Sequence, residues 1–192
     1  MSKFDKAIEL FDLANSKDPN TEIFEGKSYP KELLYAQRMS NRLDIFAPDA
    51  EEEVKLAARC QHICRWEIPR DSYEMNRVGY LKWRKELYSY HGDKAGEILK
   101  EVGYDETIIE NVKNLLKKQQ LKKNANSQLL EDVICLVFLE FYFEKFSQKY
   151  TEEKLIDIIQ KTWNKMSEKG HEAALKLPFS EASLELIQKA LA

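Results

Sequence analysis

The chain has 192 residues, of which 43% are hydrophobic and 33% charged, a balance that excludes a disordered tail and a fibrous repeat. Thirty Lys and Arg against 33 Asp and Glu give a net charge of −3, so nothing marks the chain as a whole as a nucleic-acid binder. Six Gly and five Pro are few turn-formers for a multi-stranded β-fold, and the composition points to a helical protein.

Residues 4–14 carry Phe4, Ala7, Ile8, Phe11 and Ala14 at the period of an amphipathic helix. Acids run through this N-terminal segment and no long apolar stretch accompanies them, so it reads as a helix and not as a signal peptide. Asp18-Pro19-Asn20 stops it, and residues 21–29 read as a loop punctuated by Gly26 and Pro30. Pro30 suits the first turn of a second helix, whose apolar face is Leu33, Leu34, Ala36, Met39, Leu43 and Phe46. After Ala47-Pro48-Asp49, a third helix is expected over residues 50–65, apolar on most sides and therefore central. Pro69 ends it, Asp71 is the expected N-cap of a long fourth helix reaching about residue 90, and Gly92 and Gly103 bracket short helical pieces.

Residues 105–116 form a further amphipathic helix through Ile108, Ile109, Val112, Leu115 and Leu116. The stretch 117–127, with Lys117-Lys118 and Lys122-Lys123, reads as a solvated loop. Residues 127–146 form the most hydrophobic helix, and residues 152–166 and 180–191 give two more. No segment shows sustained alternation, so no strand is expected. The fold class is all-α: about eight to ten helices in one domain over residues 1–192. The longest apolar run, residues 133–139, is far too short to span a bilayer. Cys60, Cys64 and Cys135 fit buried reduced thiols and a cytoplasmic protein, and they lack the second pair that a zinc site would need.

Two of the apolar helices carry polar residues where core is expected: Arg59, Gln61, His62 and Arg65 in one, Glu131, Asp132 and Glu140 in the other. A buried carboxylate costs several kcal/mol unless it is paired or metal-bound. Two plainer readings stand beside a ligand set: acids near a helix start, where the dipole favours them, and a hydrogen-bonded core histidine.

The order of these features resembles the HD-domain superfamily of helical metal-dependent phosphohydrolases, over roughly residues 28–145. The carrying segment is Ala57-Ala58-Arg59-Cys60-Gln61-His62-Ile63-Cys64-Arg65, with Glu32 before it and Leu130-Glu131-Asp132-Val133 after it. The resemblance puts Glu32 at the first His position and Gln61-His62 in place of the His-Asp doublet. It puts Arg65 at the Lys position, with Asp132 or Glu131 as the late acid. It implies catalytic roles for His62 and Asp132, and one divalent metal (Mn, Fe or Zn) held by Glu32, His62, Glu131 and Asp132, a set of one imidazole and several carboxylates that suits such ions. A metal with open positions would activate water and neutralise a phosphate.

Arg65-Trp66-Glu67-Ile68-Pro69-Arg70 leads into Arg77-Val78-Gly79-Tyr80-Leu81-Lys82-Trp83-Arg84. Arg70, Arg77 and Arg84 recur at a spacing of seven, close to one helix face, with Tyr73, Tyr80, Trp83 and Tyr88 nearby. Arginines take phosphate bidentately and aromatics stack on bases, so a small anionic ligand is expected at Arg65, Trp66, Arg70, Arg77, Tyr80 and Arg84, extended by Arg38. A solvated face with ion pairs to Glu74 and Glu86 is the alternative.

Most of residues 1–165 is more specifically similar to domain of unknown function family 4202. The segments that carry this are Ser28-Tyr29-Pro30-Lys31-Glu32-Leu33-Leu34-Tyr35-Ala36, Gln61-His62-Ile63, Arg65-Trp66, Gly79-Tyr80, Trp83-Arg84 and Leu130-Glu131-Asp132-Val133. Some members of that family carry a glutamyl-tRNA synthetase label. Lys165-Met166-Ser167-Glu168-Lys169 is superficially similar to the synthetase Lys-Met-Ser-Lys-Ser loop, but there is no nucleotide-binding α/β half and no His-Ile-Gly-His counterpart, and the label is set aside. The functions expected are a metal-dependent hydrolase of a small phosphorylated or nucleotide-like molecule, a metal-free module binding a small anion, or a helical interaction protein. No membrane or nucleic-acid partner is expected.

Overall fold

In the computed structural model, which describes residues 1–118 and 123–192, Ser2 opens the first helix. Its hydroxyl accepts from the Asp5 amide at 3.0 Å and Asp5 Oδ2 accepts from the Ser2 amide at 3.1 Å, a reciprocal capping box. The described residues are 71% helical, with ten α-helices and one two-stranded sheet, so the protein is mostly α. None of these helices is long and apolar enough to cross a membrane. The chain divides into two compact units, Met1–Leu121 and Lys122–Ala192. The division falls in the basic stretch expected as a loop, whose Lys122 lies outside the described residues.

In the first unit, α1 (Lys3–Asn15) leads into a hairpin of β1 (Thr21–Phe24) and β2 (Lys27–Pro30), paired antiparallel from Thr21↔Pro30 to Phe24↔Lys27. A plain loop was expected here. Four-residue strands are too short for alternation to declare itself. The two-residue turn is Glu25-Gly26, both at positive φ, and it lacks the Asn-Gly or Asp-Gly signature of such turns.

α2 (Lys31–Phe46) starts after Pro30, which offers no side-chain cap. Asp18 supplies one from a distance: Oδ2 accepts from the Glu32 amide at 3.0 Å, while Oδ1 accepts from the Asn20 amide at 2.8 Å. Asp18, in the turn after α1, thus fixes the first turn of α2, and with it the position of Glu32.

α3 spans Glu52–Arg59 and stops at Cys60, not at Arg65 as its apolar pattern predicts. Turns carry the chain through residues 60–64 into a short 3₁₀ turn, Arg65–Glu67. Two side chains from other helices impose the exit. Asn15 Oδ1 accepts from the Cys64 amide at 3.1 Å, and the His91 ring meets the Ile63 carbonyl at 2.8 Å. Cys64 is left-handed, with φ 52°.

A second 3₁₀ turn, Arg70–Ser72, precedes α4 (Arg77–Val102). Asn76, not Asp71, caps α4 by accepting from the Gly79 amide at 2.8 Å. Gly92 lies inside this helix and does not end it; Gly103, at φ 90°, does. α4 packs along α5 (Glu106–Leu116), and Phe11, Met39, Leu43, Leu56, Ile63, Leu87, Leu99 and Leu116 are fully buried in this unit.

The second unit begins with α6 (Ala125–Val137), capped by Asn124. The long apolar helix continues as one π-helical stretch, Phe138–Tyr142, and then α7 (Phe143–Ser147). α8 (Glu152–Trp163) and α10 (Glu181–Leu191) pack together as a pair of amphipathic helices, and α9 (Glu168–Ala174), unforeseen in the sequence, lies between them in the chain. Leu130, Leu136, Phe143 and Ile159 are among its fully buried side chains.

Two glycines of α4 should respond oppositely to alanine. A Cβ at Gly79 would sit 2.1 Å from the Glu74 carbonyl oxygen, which is backbone, whereas at Gly96 it would meet the Lys113 Cδ at 3.3 Å, a movable side chain. Gly79→Ala should lower the unfolding free energy by about 2 kcal/mol, and Gly96→Ala should leave it within about 1 kcal/mol, helix propensity offsetting the contact. Urea unfolding decides; equal midpoints for Gly79→Ala and wild type would show that the turn before α4 has room to relax.

Candidate functional site

Glu32 from the first turn of α2, His62 from the turn after α3, Arg65 from the 3₁₀ turn and His91 from the middle of α4 meet in the first unit. His62 Nδ1 lies 3.4 Å from Glu32 Oε2, and His62 Nε2 lies 3.0 Å from Arg65 Nη1. A guanidinium only donates, so Nε2 accepts and the imidazole proton is on Nδ1, facing Glu32. Tyr35 stacks on the ring at 4.2 Å with a 12° interplanar angle.

The side chain of His62 remains 25% exposed, against 8% for Glu32, so the imidazole is the face this group shows to solvent. Burial, then the charges of Arg65, Lys118, Lys31 and Arg84, holds His62 well below the ordinary histidine range. The imidazole is therefore neutral. Burial raises the Glu32 carboxyl above its usual value, with Arg65 the main charge drawing it back down.

His91 is almost fully buried, its ring centroid 5.8 Å from that of His62. The Ile63 carbonyl can only accept, so Nδ1 carries the proton and Nε2 is a bare acceptor. That Nε2 has no hydrogen-bond partner among the described residues. Burial, then His62, depresses His91 to about 3.

Around this group lies a ladder of guanidinium and aromatic planes. Arg65 stacks over Trp83 at 4.7 Å, Arg70 lies 5.9 Å from Tyr80 and from Trp83, and Arg84 lies 5.7 Å from Tyr80 and 5.4 Å from Tyr88, to whose hydroxyl it also donates. Trp83 is buried, with its indole N–H donating to the Ile68 carbonyl at 2.9 Å, while Trp66 is half-buried and Tyr80 exposed.

The shared helical face expected for Arg70, Arg77 and Arg84 does not form. Arg70 precedes α4 and its guanidinium donates to the carbonyls of Tyr73, Glu74 and Asn76, bracketing the turn; Arg77 is exposed at the helix start. Arg38 is buried, paired with Glu22 at 2.6 Å and over Phe24 at 4.7 Å, where it ties the hairpin to α2.

Glu131 and Asp132 belong to the second unit. α6 starts at Ala125, so both lie well inside it and not in its first turn. Asp132 accepts from the Ser167 amide at 2.8 Å, the Ser167 hydroxyl at 2.6 Å and Gln128 Nε2 at 3.1 Å. Gly170 is held against it: a Cβ there would lie 2.7 Å from Asp132 Oδ1. Glu131 is buried, with Lys165 Nζ at 3.7 Å. Among the described residues, no group of three or more His, Cys, Asp or Glu side chains is disposed to hold a metal ion. All three cysteines are free and buried.

Asn15, Asp18 and His91 shape this site without having been singled out in the sequence. His91 had a signal: it interrupts the buried stripe Leu87, Ala95, Leu99 at helical spacing. Asn15 and Asp18 act across the chain through backbone amides, which no local pattern records.

A histidine whose folded pKa lies below its unfolded value contributes stability that is full above the unfolded value and is lost as the pH falls toward the folded one. Glu32, raised by burial, acts in the opposite sense: its contribution falls as the pH rises through its unfolded value. Comparing wild type with His91→Asn cancels Glu32. The stability margin of wild type over the variant should shrink by about 1.4 kcal/mol per pH unit as the pH drops below ~6.5. Urea unfolding over a pH series measures it, and a margin that does not move with pH would contradict a neutral buried His91.

Neither the curated proteins nor the solved structures contain a match to the chain. A family model does match, over residues 5–187, nearly the whole sequence and all four residues of the Glu32, His62, Arg65 and His91 group. The chain therefore belongs to the family described as Domain of unknown function (DUF4202).

Proposed function

We propose that the protein binds a small phosphorylated or nucleotide-like anion at the Glu32, His62 and Arg65 group, in an HD-like helical frame and without a resident metal. One observation carries the reading: a partly exposed, neutral imidazole stands in the field of four cations, Arg65, Lys118, Lys31 and Arg84, with the Glu32 carboxylate beside its Nδ1. Such an excess of positive charge around a solvent-facing side chain favours an anion.

Arg65 has the chemistry to receive it. One guanidinium nitrogen meets His62 and its plane rests on Trp83, so an arriving phosphate competes only with a neutral acceptor. Once Arg65 turns to the phosphate, His62 Nε2 is free to take a proton and become a second cationic donor, with Glu32 behind Nδ1 to stabilise it. The HD-like frame is supported by the meeting of Glu32 with His62, as the motif order implies.

The metal-free form is preferred because the acceptor atoms are engaged otherwise: His62 Nε2 by Arg65, and both Asp132 oxygens by Ser167. Three buried free thiols favour a reducing compartment, and the reading places the protein in the cytoplasm.

Calorimetric titration with inorganic phosphate tests this. Binding should be unaffected by EDTA, should tighten as the pH falls because the bound anion favours protonated His62, and should weaken about tenfold or more in Arg65→Ala, the loss expected for a charge-assisted hydrogen bond. Turnover of a phosphate monoester that appears only with Mn²⁺ and vanishes in His62→Ala would replace this reading with the metal-dependent hydrolase. No heat with phosphate at any pH would leave a structural role for the cluster.

A further inference from the structure

The proposed anion site contains an acceptor that an anion cannot satisfy. His91 Nε2 is a lone pair on a nearly fully buried ring, fixed in that tautomer because Nδ1–H is committed to the Ile63 carbonyl. Buried polar atoms are rarely left without a partner, since burial strips away their water.

No neighbour in the group serves it. The His62 ring, 5.8 Å away, has its only proton on Nδ1 toward Glu32 and its Nε2 engaged by Arg65. Arg65 itself lies between His62 and Trp83. A second buried acceptor, Gln61 Oε1, sits in the same turn beside His62 and also has no partner among the described residues.

A fully ionised phosphate has acceptor oxygens only. It would satisfy Arg65 and leave His91 as it is. A hydroxyl group donates, and it fits the orphaned His91 acceptor.

We propose that His91 is a specificity-determining residue that accepts a hydrogen bond from a hydroxyl of the ligand, which makes the ligand a hydroxylated phosphate monoester, such as a polyol or sugar phosphate, and not a bare anion. This rests on the reading of the cluster as a phosphate site. In this arrangement the phosphoryl group lies at Arg65 and the carbon chain runs past His62 toward His91.

Glycerol 3-phosphate and n-propyl phosphate carry the same charge on three carbons and differ in two hydroxyls. Calorimetry with both, and with inorganic phosphate, separates the inference from the reading beneath it. Wild type should bind glycerol 3-phosphate about tenfold or more tighter than n-propyl phosphate, because a site built to hydrogen-bond a hydroxyl rejects the analogue lacking it. His91→Asn keeps a donor for the Ile63 carbonyl and removes the Nε2 position, so the ratio should fall toward one.

Equal binding of the two esters by wild type overturns the inference and leaves the phosphate site standing; a buried water would then be the partner of His91. A preference that persists undiminished in a folded His91→Asn protein also overturns it. Should the variant fail to fold, the wild-type ratio decides alone. If none of the three phosphates binds, the reading of the site fails and the inference fails with it.

Discussion

The exit of the chain from α3 is the constraint on which the site depends. Eight residues of helix give way at Cys60, and by Cys64 the backbone is left-handed, a conformation that costs a residue with a Cβ about 1 kcal/mol. Two hydrogen bonds from separate helices offset that cost: Asn15 receives the Cys64 amide and His91 donates to the Ile63 carbonyl. Had the helix run on to Arg65, His62 and Arg65 would be adjacent on one helical face, three residues apart. The turn instead lets the Arg65 guanidinium reach the His62 ring while stacking on Trp83.

The electrostatics follow from that placement. Glu32 is buried and would favour its neutral form, but Arg65 pulls the other way, so the acid is poised between two tendencies. His62 is kept neutral first by burial and then by neighbouring positive charge, and His91 first by burial and then by His62. Two neutral imidazoles and one acid thus stand together in the field of several cations. A salt-bridged core would place each guanidinium against a carboxylate, as Arg59 is placed against Asp12 at 2.6 Å in the same unit. Arg65 differs from Arg59 in that its guanidinium meets a neutral imidazole.

Much of the helical architecture was legible because burial repeats every 3.6 residues. The periodic faces of α1, α2, α5, α8 and α10 stand where their apolar residues predict. Boundaries were less legible. Asn76 caps α4 where Asp71 was expected, and α3 is ended by Asn15 and His91, which are distant in the chain. The hairpin at Thr21–Pro30 escaped detection since each strand is four residues long. Glu32 and His62 were legible through the order of motifs, and they meet. Arg70 was misplaced because a spacing of seven implies a shared face only if all three positions are helical, and Arg70 is in the turn before α4.

Asp132 and Glu32 show how a buried acid should be weighed. Both occupy apolar surroundings and both were grouped by motif order. Asp132 is saturated by Ser167 and Gln128, and Gly170 leaves no space beside it; the carboxylate anchors the start of α9, whose N-cap is Ser167 itself. Lys165-Met166-Ser167-Glu168-Lys169 is thus the entry to a helix, and its serine is explained by capping. Glu32 has no comparable closure. Its backbone amide is held by Asp18, and its carboxylate lies 3.4 Å from the Nδ1 of a neutral histidine, longer than a good hydrogen bond. The oxygens of Asp132 are filled by the chain and hold a helix start in place, whereas the Glu32 carboxyl is raised by burial beside an imidazole.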